Sequence, residues 1–250
     1  DWIKLMNIHD IKKEFPIFDD KIQNNDLVYL DSANSSQKPR IVVDRIYDFY
    51  TKEFSNVGRS VHYLAVAATN LYEQTRVSVQ KYINAKDKDE IVFTKGATEA
   101  INLVANTFGQ KYLSEGDEVL LTELEHHSNY VPWHFLRKAK NIKIEFAEIN
   151  DDGEVTLESI ERKITNKTKI ISVSHLSNVT GAILPIKEIV QLAHSKNIPV
   201  LIDGCQGAPH LKLDMQDIDC DFYAISGHKM YGPTGIGVLY AKKKWLEDLP

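Results

Sequence analysis

Three short polar segments of this sequence combine residue types that can bind an anion, pair with a cation or attack a carbonyl group. They cover residues 95–99 (KGATE), 203–206 (DGCQ) and 226–229 (SGHK). Each follows an apolar stretch and contains a glycine, which lets the backbone approach a ligand closely. This pattern is typical of ligand-binding loops at strand ends, although each segment also has a plainer interpretation.

The first two segments suggest a phosphate site and a partner for a positively charged ring. Free N–H groups after Gly96 could bind phosphate together with the Thr98 hydroxyl, or the segment could simply start a helix with Thr98 near its cap. Asp203 at a strand end could pair with a protonated ring nitrogen, whereas an Asp-Gly pair is also a common turn. Neither segment decides the matter alone.

The third segment contains a lysine in an unusual setting. A lysine in a loop is normally a solvated surface residue, but Lys229 lies between glycine-rich segments and two strongly apolar stretches. Desolvation lowers the pKa of an ammonium group, and the resulting neutral amine is nucleophilic toward an aldehyde. Ser226 could donate a hydrogen bond to a phosphate, and the combination of SGHK with a following GPTG is a specific signal.

Two further segments, residues 125–129 (EHHSN) and 174–178 (SHLSN), each follow an apolar stretch. Adjacent histidines can indicate a metal site, but neighbouring side chains point in different directions and no third ligand has matching spacing. We therefore predict no metal. An imidazole stacked on a flat aromatic ligand is the better functional use, and Asn178 could hydrogen-bond a ring substituent.

The elements that position these segments alternate between strand and helix from about residue 88. Helical stripes of apolar residues begin at Ile101 and Ile186. This alternation predicts an α/β fold with a seven-stranded, mostly parallel sheet sandwiched by helices, and the lack of a helix between the last two strands allows one to run antiparallel. Ligands bind such sheets beyond the carboxyl ends of the strands. The predicted strands are 90–94, 118–122, 143–147, 169–174, 199–203, 221–225 and 236–240.

The first third of the chain has a different, mainly helical pattern. It predicts a short strand at 27–30, a polar turn at 31–39, a helix that contains Val42 and Ile46, and a long helix at 64–84. Because Met6 begins a natural-looking helix start, we expect residues 1–5 to be an artefact or the chain to be a fragment.

Composition excludes several classes of protein. The chain has 250 residues, 43% of them hydrophobic and 26% charged, with a formal net charge of −5. Neither a basic face for nucleic acid nor the run of about 18 apolar residues that a membrane span needs is present. Two cysteines, Cys205 and Cys220, argue against a disulfide framework and for a reducing compartment.

Taken together, the segments meet the demands of one cofactor. In chain order they supply a phosphate cradle, a ring stacker, a pyridinium partner and an amine, which are the groups that bind pyridoxal 5′-phosphate (PLP). The sequence therefore predicts PLP as the cofactor, with Lys229 carrying it as a Schiff base.

These segments also resemble a known family over residues 8 to 245. The runs FTKGATEAINLVAN, ELEHHSNYVPW, SHLSNVTGAILPIKEI, DGCQGAPH, DCDFYAISGHKMYGPTGIGVLY and YLDSANSSQKP are similar to those of Suf-type cysteine desulfurases and their selenocysteine lyase relatives. These are class V members of the fold-type I PLP-dependent transferases. The resemblance implies a PLP-binding large domain at 31–250, an N-terminal segment at 1–30 that belongs to the small domain, and an absent C-terminal small domain.

The resemblance also implies individual roles. Lys229 would form the internal aldimine and shuttle protons, Asp203 would contact the pyridine nitrogen, and His126 would stack on the ring. The remaining implied contacts are Gln206 and Asn178 at the ring oxygen, Thr98, Ser226 and His228 at the phosphate with Ala97 beside them, and Asn34 and Arg59 near the substrate.

The implied reaction converts L-cysteine to L-alanine and transfers the sulfur to an enzyme cysteine as a persulfide, a sulfurtransferase activity. The related enzymes are homodimers that pass sulfur to an acceptor protein of the Suf system for iron–sulfur cluster assembly, and some act on selenocysteine. We expect a cytoplasmic protein, with a plastid-type organelle as the alternative. Another class V lyase or aminotransferase, or a non-catalytic scaffold with the PLP fold, stays open.

Several positions depart from the family pattern. The persulfide cysteine and the arginine that binds the substrate carboxylate are expected beyond residue 250, so we expect the chain as given to be inactive or impaired. Cys205 stands where the family usually has alanine, Gly58 replaces a histidine, Asn34 replaces a small residue, and Ala97 replaces a frequent threonine, which removes one possible phosphate hydroxyl.

Overall fold

A computed structural model describes residues 7–250 and divides the chain into two compact units. The first unit contains the chain up to Val77 together with Gly227–Thr234, and the second contains Ser78–Ser226 and Gly235–Pro250. The expectation for residues 1–5 lies outside the described residues. The assignment of residues 1–30 to a small domain and 31–250 to a large domain stays a prediction.

The first unit is mainly helical, as the sequence predicts. The predicted helix at 64–84 is confirmed as the 20-residue helix α3, whose last turn lies in the second unit. A π-helical turn, Phe49–Glu53, continues α2, and a 3₁₀ turn, Gly227–Lys229, also belongs to this unit. The labelled elements here are α1 (Ile8–Lys13), β1 (Lys21–Ile22), β2 (Asn25–Asp26), α2 (Arg40–Asp48) and α3 (Tyr63–Tyr82).

The predicted strand at 27–30 is wrong. The paired residues lie just before it, in the two-residue strands β1 and β2, and residues 27–30 have no ladder partner among the described residues. Val28 is 74% exposed and Leu30 is 91% exposed. An apolar run becomes a strand only where another strand satisfies its backbone groups and a packed face covers its side chains, and neither is available here.

The second unit contains the predicted seven-stranded sheet, in the order β3-β9-β8-β7-β6-β4-β5. The four pairings among β4 to β8 are parallel, and β9 runs antiparallel to both of its neighbours, β3 and β8. One of the last two strands thus runs antiparallel, as the missing helix between them allows. The strands are β3 (Ile91–Thr94), β4 (Glu118–Thr122), β5 (Lys143–Ala147), β6 (Thr168–Ser174), β7 (Val200–Asp203), β8 (Phe222–Ser226) and β9 (Gly237–Ala241).

Helices cover this sheet because its strands are apolar on both faces. Alternate residues such as Val119, Leu121 and Phe222 join a core with α4 and α5, while Leu120 and Ile171, on the opposite face, are equally buried. None of the helices within residues 7–250 is long and apolar enough to cross a bilayer. The helices of this unit are α4 (Ala97–Tyr112), α5 (His127–Lys140), α6 (Leu157–Lys163), α7 (Ile186–Ser195), α8 (Gly207–His210), α9 (Met215–Ile218) and α10 (Lys243–Asp248).

The strand order reverses between β4 and β6. From β4 the chain moves outward to β5, and it then returns to the other side of β4 and continues through β6, β7 and β8. The crevice for a ligand in such a sheet lies beyond the carboxyl ends of the strands where the order reverses. Four of the five polar segments predicted from the sequence follow β4, β6, β7 and β8, which lie side by side in the sheet, and the fifth, residues 95–99, follows β3.

Candidate active site

The N-terminus of α4 meets the end of β8 at the carboxyl edge of the sheet. The Ala97 backbone N–H donates a 2.9 Å hydrogen bond to the Oγ of Ser226, and both residues are buried. Because the first N–H groups of a helix have no acceptor within the helix, those of Thr98 and Glu99 stay available beside this hydroxyl. The arrangement suits a phosphate group.

Close backbone contact between β9 and α4 makes this geometry possible. A Cβ added to Gly237 would lie 2.6 Å from the carbonyl oxygen of Ile225 and 2.7 Å from the carbonyl carbon of Gly96. Both are backbone atoms, so they cannot rotate away as the end of a side chain can. Only glycine at position 237 lets the first turn of α4 approach the sheet this closely.

We expect Gly237→Ala to destabilise the protein by about 2–3 kcal/mol, because the strand or the start of α4 must shift. Gly109→Ala is the matched control. Its added Cβ would also meet an atom too closely, but that atom is Cδ1 of Leu136, the end of a flexible side chain. The helix gains propensity, so we expect a change within about 1 kcal/mol. Urea unfolding measures both, and equal effects would contradict the role of the backbone contact.

The Asp203 carboxylate is fixed at the end of β7. Asp203 is buried, and its Oδ1 accepts a 3.0 Å hydrogen bond from the backbone N–H of Cys205. The Cys205 thiol in turn lies 3.6 Å from the Oγ of Ser226. Three predicted site residues, Asp203, Ser226 and Ala97, are thus joined by one chain of contacts through Cys205.

A tyrosine and a histidine that the sequence did not single out pack against the segment that carries Asp203. The Tyr223 ring fills the space where a side chain on Gly204 would lie, and its hydroxyl is 2.7 Å from the Nδ1 of His175. Burial lowers the pKa of His175 to about 4 and raises the pKa of Tyr223 well above its usual value. Both are therefore neutral near pH 7, and a single hydrogen bond joins them.

His126 is the N-cap of α5 and follows β4 by four residues. Its Nδ1 accepts a 3.1 Å hydrogen bond from the Ser128 backbone N–H and lies 2.8 Å from the Ser128 Oγ. A backbone N–H can only donate, so Nδ1 carries a lone pair and the ring proton of the neutral imidazole is on Nε2. The exposed ring is held by this cap.

Two other predicted contacts follow neighbouring strands. Asn178 is exposed in a turn after β6, and the buried Ser177 shapes this turn by accepting 3.2 Å hydrogen bonds from the N–H groups of Val179 and Thr180. Gln206 is buried directly before α8. Both lie at the carboxyl edge of the sheet, as predicted.

Lys229 and His228 belong to the first unit, in a closed turn. The Gly227 carbonyl accepts hydrogen bonds of 2.9 Å from the N–H groups of Met230 and Gly232. Lys229 is half-buried, and its Nζ has no hydrogen bond or ion pair with any residue in the range 7–250. The amine therefore needs no partner to be displaced before it can react.

Residues of the segment SSQKP anchor this turn. The His228 carbonyl accepts from the Ser36 N–H at 3.1 Å, from the Ser36 Oγ at 3.0 Å and from the Lys38 Nζ at 2.8 Å. The Ser36 Oγ also accepts a 2.9 Å hydrogen bond from the Tyr231 N–H. Tyr231 has φ +61°, a region that a bulky residue rarely adopts. Ser36 and Lys38 thus hold this turn, and the sequence did not identify either of them.

Three other predicted site residues also belong to the first unit, and each has its own surroundings there. They are His228, Asn34 and Arg59. The His228 Nδ1 lies 3.2 Å from the Ser35 Oγ, and burial, together with the charges of Lys229 and Lys38, lowers the His228 pKa. Asn34 is exposed and donates to Asp31 at 3.3 Å. Arg59 is exposed and has no ion pair within the described residues.

No three His, Cys, Asp or Glu side chains in residues 7–250 are arranged to hold a metal ion. The donor set of the second unit fits PLP instead. Helix N–H groups and a buried hydroxyl suit the phosphate, a fixed carboxylate suits a ring cation, and an imidazole stands at the same edge.

The sequence is similar to those of one known family. Residues 28–250 match the sequence model of the family described as aminotransferase class-V. A protein named "Probable cysteine desulfurase" from Halalkalibacterium halodurans is 48% identical over 244 residues, which are 98% of this chain and 60% of that protein.

Solved structures give the same fold. The cysteine desulfurase CsdA from Escherichia coli, in an S-sulfonic acid form, matches with a TM-score of 0.87 and 38% identity, over 98% of this chain and 60% of its own. A protein described as SspA in complex with cysteine matches with a TM-score of 0.81 and 29% identity, over 87% of this chain and 62% of its own. The chain thus spans less than two thirds of the proteins it is similar to, and the prediction of a fold-type I α/β architecture is confirmed.

Proposed function

This chain belongs to the class-V aminotransferase family, and from that premise we propose that it is the cofactor-binding part of a PLP-dependent cysteine desulfurase. The observation that carries the proposal is the chain of contacts from the start of α4 through Ser226 and Cys205 to Asp203. It supports the proposal because the groups that would bind the phosphate and the ring nitrogen lie on the neighbouring strands β8 and β7, in a protein that is similar to cysteine desulfurases.

The family is PLP-dependent, and the residues present fit that cofactor. The free N–H groups of α4, Thr98 and Ser226 would hold the phosphate, with Ala97 fixing the Ser226 hydroxyl. Asp203 would pair with the ring nitrogen and Lys229 would provide the covalent attachment. When bound, the cofactor supplies an electron sink for the substrate. The remaining proposed contacts are His126, Gln206, Asn178 and His228 with the cofactor, and Asn34 and Arg59 with the substrate.

The chain's own residues would manage the protons of the reaction. With Nδ1 occupied by the helix cap, His126 offers only its Nε2 to the ligand side, as a donor when neutral. The Lys229 amine would take and return a proton at the substrate. Because His175 and Tyr223 are both neutral near pH 7, neither adds a cation that would compete with the ring nitrogen for Asp203.

The proposed substrate is L-cysteine, and its Cβ–Sγ bond breaks. The sulfur forms a new bond to an enzyme thiolate, which becomes a persulfide, and a proton at Cβ completes L-alanine. We propose that this thiol belongs to the part of the whole protein that corresponds to the remaining length of its relatives. A homodimer, transfer of the sulfur to a Suf-type acceptor protein and use of selenocysteine belong to the same proposal, as does a cytoplasmic or plastid-type location.

The test measures products from full-length protein supplied with PLP and L-cysteine under a reductant. We expect alanine and sulfide in equal amounts. Formation of a keto acid with transfer of the amino group would instead identify an aminotransferase. Neither product, from protein that retains the cofactor, would identify a non-catalytic relative. A second incubation with selenocysteine then measures the preference between sulfur and selenium.

A further inference from the structure

A carboxylate next to His126 is enclosed by hydrogen-bond donors from three elements. Glu125 accepts from the Thr122 Oγ1 at 2.6 Å, the Asn129 Nδ2 at 2.6 Å, the Ser174 N–H at 3.0 Å and the Ser174 Oγ at 2.7 Å. The residue as a whole keeps some solvent exposure, but both carboxylate oxygens are occupied.

The donors are themselves buried and paired. Thr122, Asn129, Ser172 and Ser174 all lie in the interior, and the Asn129 Oδ1 accepts a 2.5 Å hydrogen bond from the Ser172 Oγ. A buried polar network of this kind is rigid when every member is satisfied and costly when one member is lost. Glu125 is its centre, because removing the carboxylate leaves four hydrogen bonds without an acceptor.

The network links the two turns of the reversal point. Thr122 ends β4, Asn129 lies in the first turn of α5, and Ser174 ends β6. His126 follows Glu125 directly, and Asn178 lies four residues after Ser174. Glu125 therefore joins the segment that carries His126 to β6, beside the Ser172–Asn129 hydrogen bond, whereas the Ser128 cap orients the His126 ring.

We propose that Glu125 is a positioning residue that holds His126 at the carboxyl edge of the sheet by fastening the start of α5 to the end of β6. This role of Glu125 adds to the proposed function, and its effect on kcat rests on that function. The direct contacts of Glu125 are uncharged, and the neighbouring titratable groups are His126 and His127 beside it and His175 after Ser174, of which His175 is neutral near pH 7.

The network can accommodate a proton. Burial raises the pKa of Glu125 to about 7, against the lowering effect of its hydrogen bonds from Thr122, Asn129 and Ser174. Once protonated, the carboxyl group can donate to the hydroxyl of Thr122 or Ser174, because a hydroxyl can accept as well as donate. The network therefore keeps α5 joined to β6 whether Glu125 is ionised or protonated. A glutamine at position 125 should preserve it as well, provided that the side-chain amide of Asn129 flips by 180°.

Full-length Glu125→Ala and Glu125→Gln variants test this role, with Glu123→Ala as the matched control. Glu123 is on the same turn but accepts from the Ile149 N–H instead. We expect Glu125→Ala to lower kcat for cysteine by at least about tenfold while KM changes less than about threefold. Glu125→Gln should restore most of kcat, and Glu123→Ala should retain it. An effect of Glu125→Ala on thermal stability alone, with kcat unchanged, would overturn the proposal.

A second readout needs neither cofactor nor turnover. In the cofactor-free protein, the NMR signals of the His126 ring should shift or broaden in Glu125→Ala and stay in place in Glu125→Gln. These signals test the role of Glu125 independently of the proposed activity, because they report on His126 even if the protein does not desulfurate cysteine. If Glu125→Ala does not fold, Thr122→Val serves instead, because it removes one donor while keeping the side chain's shape. We expect it to shift or broaden the His126 signals in the same way, by a smaller amount. An unmoved His126 signal in Thr122→Val would then overturn the proposal.

Discussion

Replacing Lys229 with alanine is expected to leave a folded protein that no longer retains PLP covalently and no longer releases alanine from cysteine. The proposed role gives this amine two tasks, attachment of the cofactor and proton transfer at the substrate. Removing a group with both tasks should lower kcat by at least about 1,000-fold. Borohydride reduction followed by mass spectrometry checks attachment at residue 229, and an alanine assay checks turnover.

The fold should tolerate this change because the Lys229 side chain makes no hydrogen bond or ion pair within residues 7–250. The turn is closed by backbone groups of Gly227, Met230 and Gly232 and anchored through the His228 carbonyl, none of which the substitution removes. We expect the melting temperature of the cofactor-free variant to stay within about 2 °C of the parent.

Lys95→Ala is the control for this experiment. Lys95 is on the loop before α4, and its side chain is 85% exposed and paired only weakly with Glu99, at 3.9 Å. Full turnover in Lys95→Ala and none in Lys229→Ala would assign the reactive amine. Reduced cofactor attached to another lysine in Lys229→Ala would contradict the assignment.

The sheet of the second unit could be predicted almost completely, because its signal is local. Buried parallel strands are continuous apolar runs, and both the runs and the helical stripes between them are visible in a short window. Each predicted strand agrees with the structure to within one residue at either end. The site segments could be placed for the same reason, since the sequence directly after a parallel strand lies at the carboxyl edge of the sheet.

The first unit and the supports of the site could not be predicted in this way. The strand expected at 27–30 failed because strand formation depends on a partner elsewhere in the chain. Ser36 and Lys38 contact the His228 carbonyl across 192 and 190 residues, and no local pattern reports such a pair. Tyr223 looks like one more apolar residue of β8, because its role depends on the space left by Gly204 and on His175.

Glu125 shows the same limit at a residue whose segment was identified. The pattern EHHSN drew attention to the two histidines as possible ligands or stackers, and it gave the glutamate before them no role. Its four hydrogen bonds come from the end of β4, from α5 and from β6. A sequence pattern can indicate which residues react, but the residues that hold them appear only when the strand order is known.

At the opposite edge of the sheet, replacing Asp221 with asparagine is expected to destabilise the protein by about 3–5 kcal/mol, the usual effect of removing one partner from a buried ionic group. The Asp221 side chain is 1% exposed. It accepts from the His194 Nε2 at 2.8 Å, the Trp245 Nε1 at 2.7 Å and the Val200 N–H at 3.0 Å, and it pairs with the Lys244 Nζ at 2.9 Å.

The electrostatics of this carboxylate set the sign of its pH dependence. Burial by itself raises the pKa of Asp221, but hydrogen bonds from His194, Trp245 and Lys244 outweigh it and hold the pKa well below the usual value of 3.8. A carboxylate with a lowered pKa stabilises the fold fully above the pKa of the unfolded state, near 3.8, and loses this contribution as the pH falls below it. The difference in unfolding free energy between the parent and Asp221→Asn should therefore be constant from pH 5 to 7 and shrink below about pH 4.

Asp219→Asn is the matched control because Asp219 lies two residues earlier and also pairs with His194 and Lys242, at 3.4 Å and 2.5 Å. Its side chain is 59% exposed, so its ion pairs are screened and the substitution should cost less than about 1 kcal/mol. Urea unfolding of both variants at pH 7 measures the difference, and equal losses would show that burial is not what gives Asp221 its effect. Because Asp221 binds the amino end of β7, the end of α7 and the start of α10 rather than the carboxyl edge, turnover at temperatures well below unfolding should remain at the parent level in both.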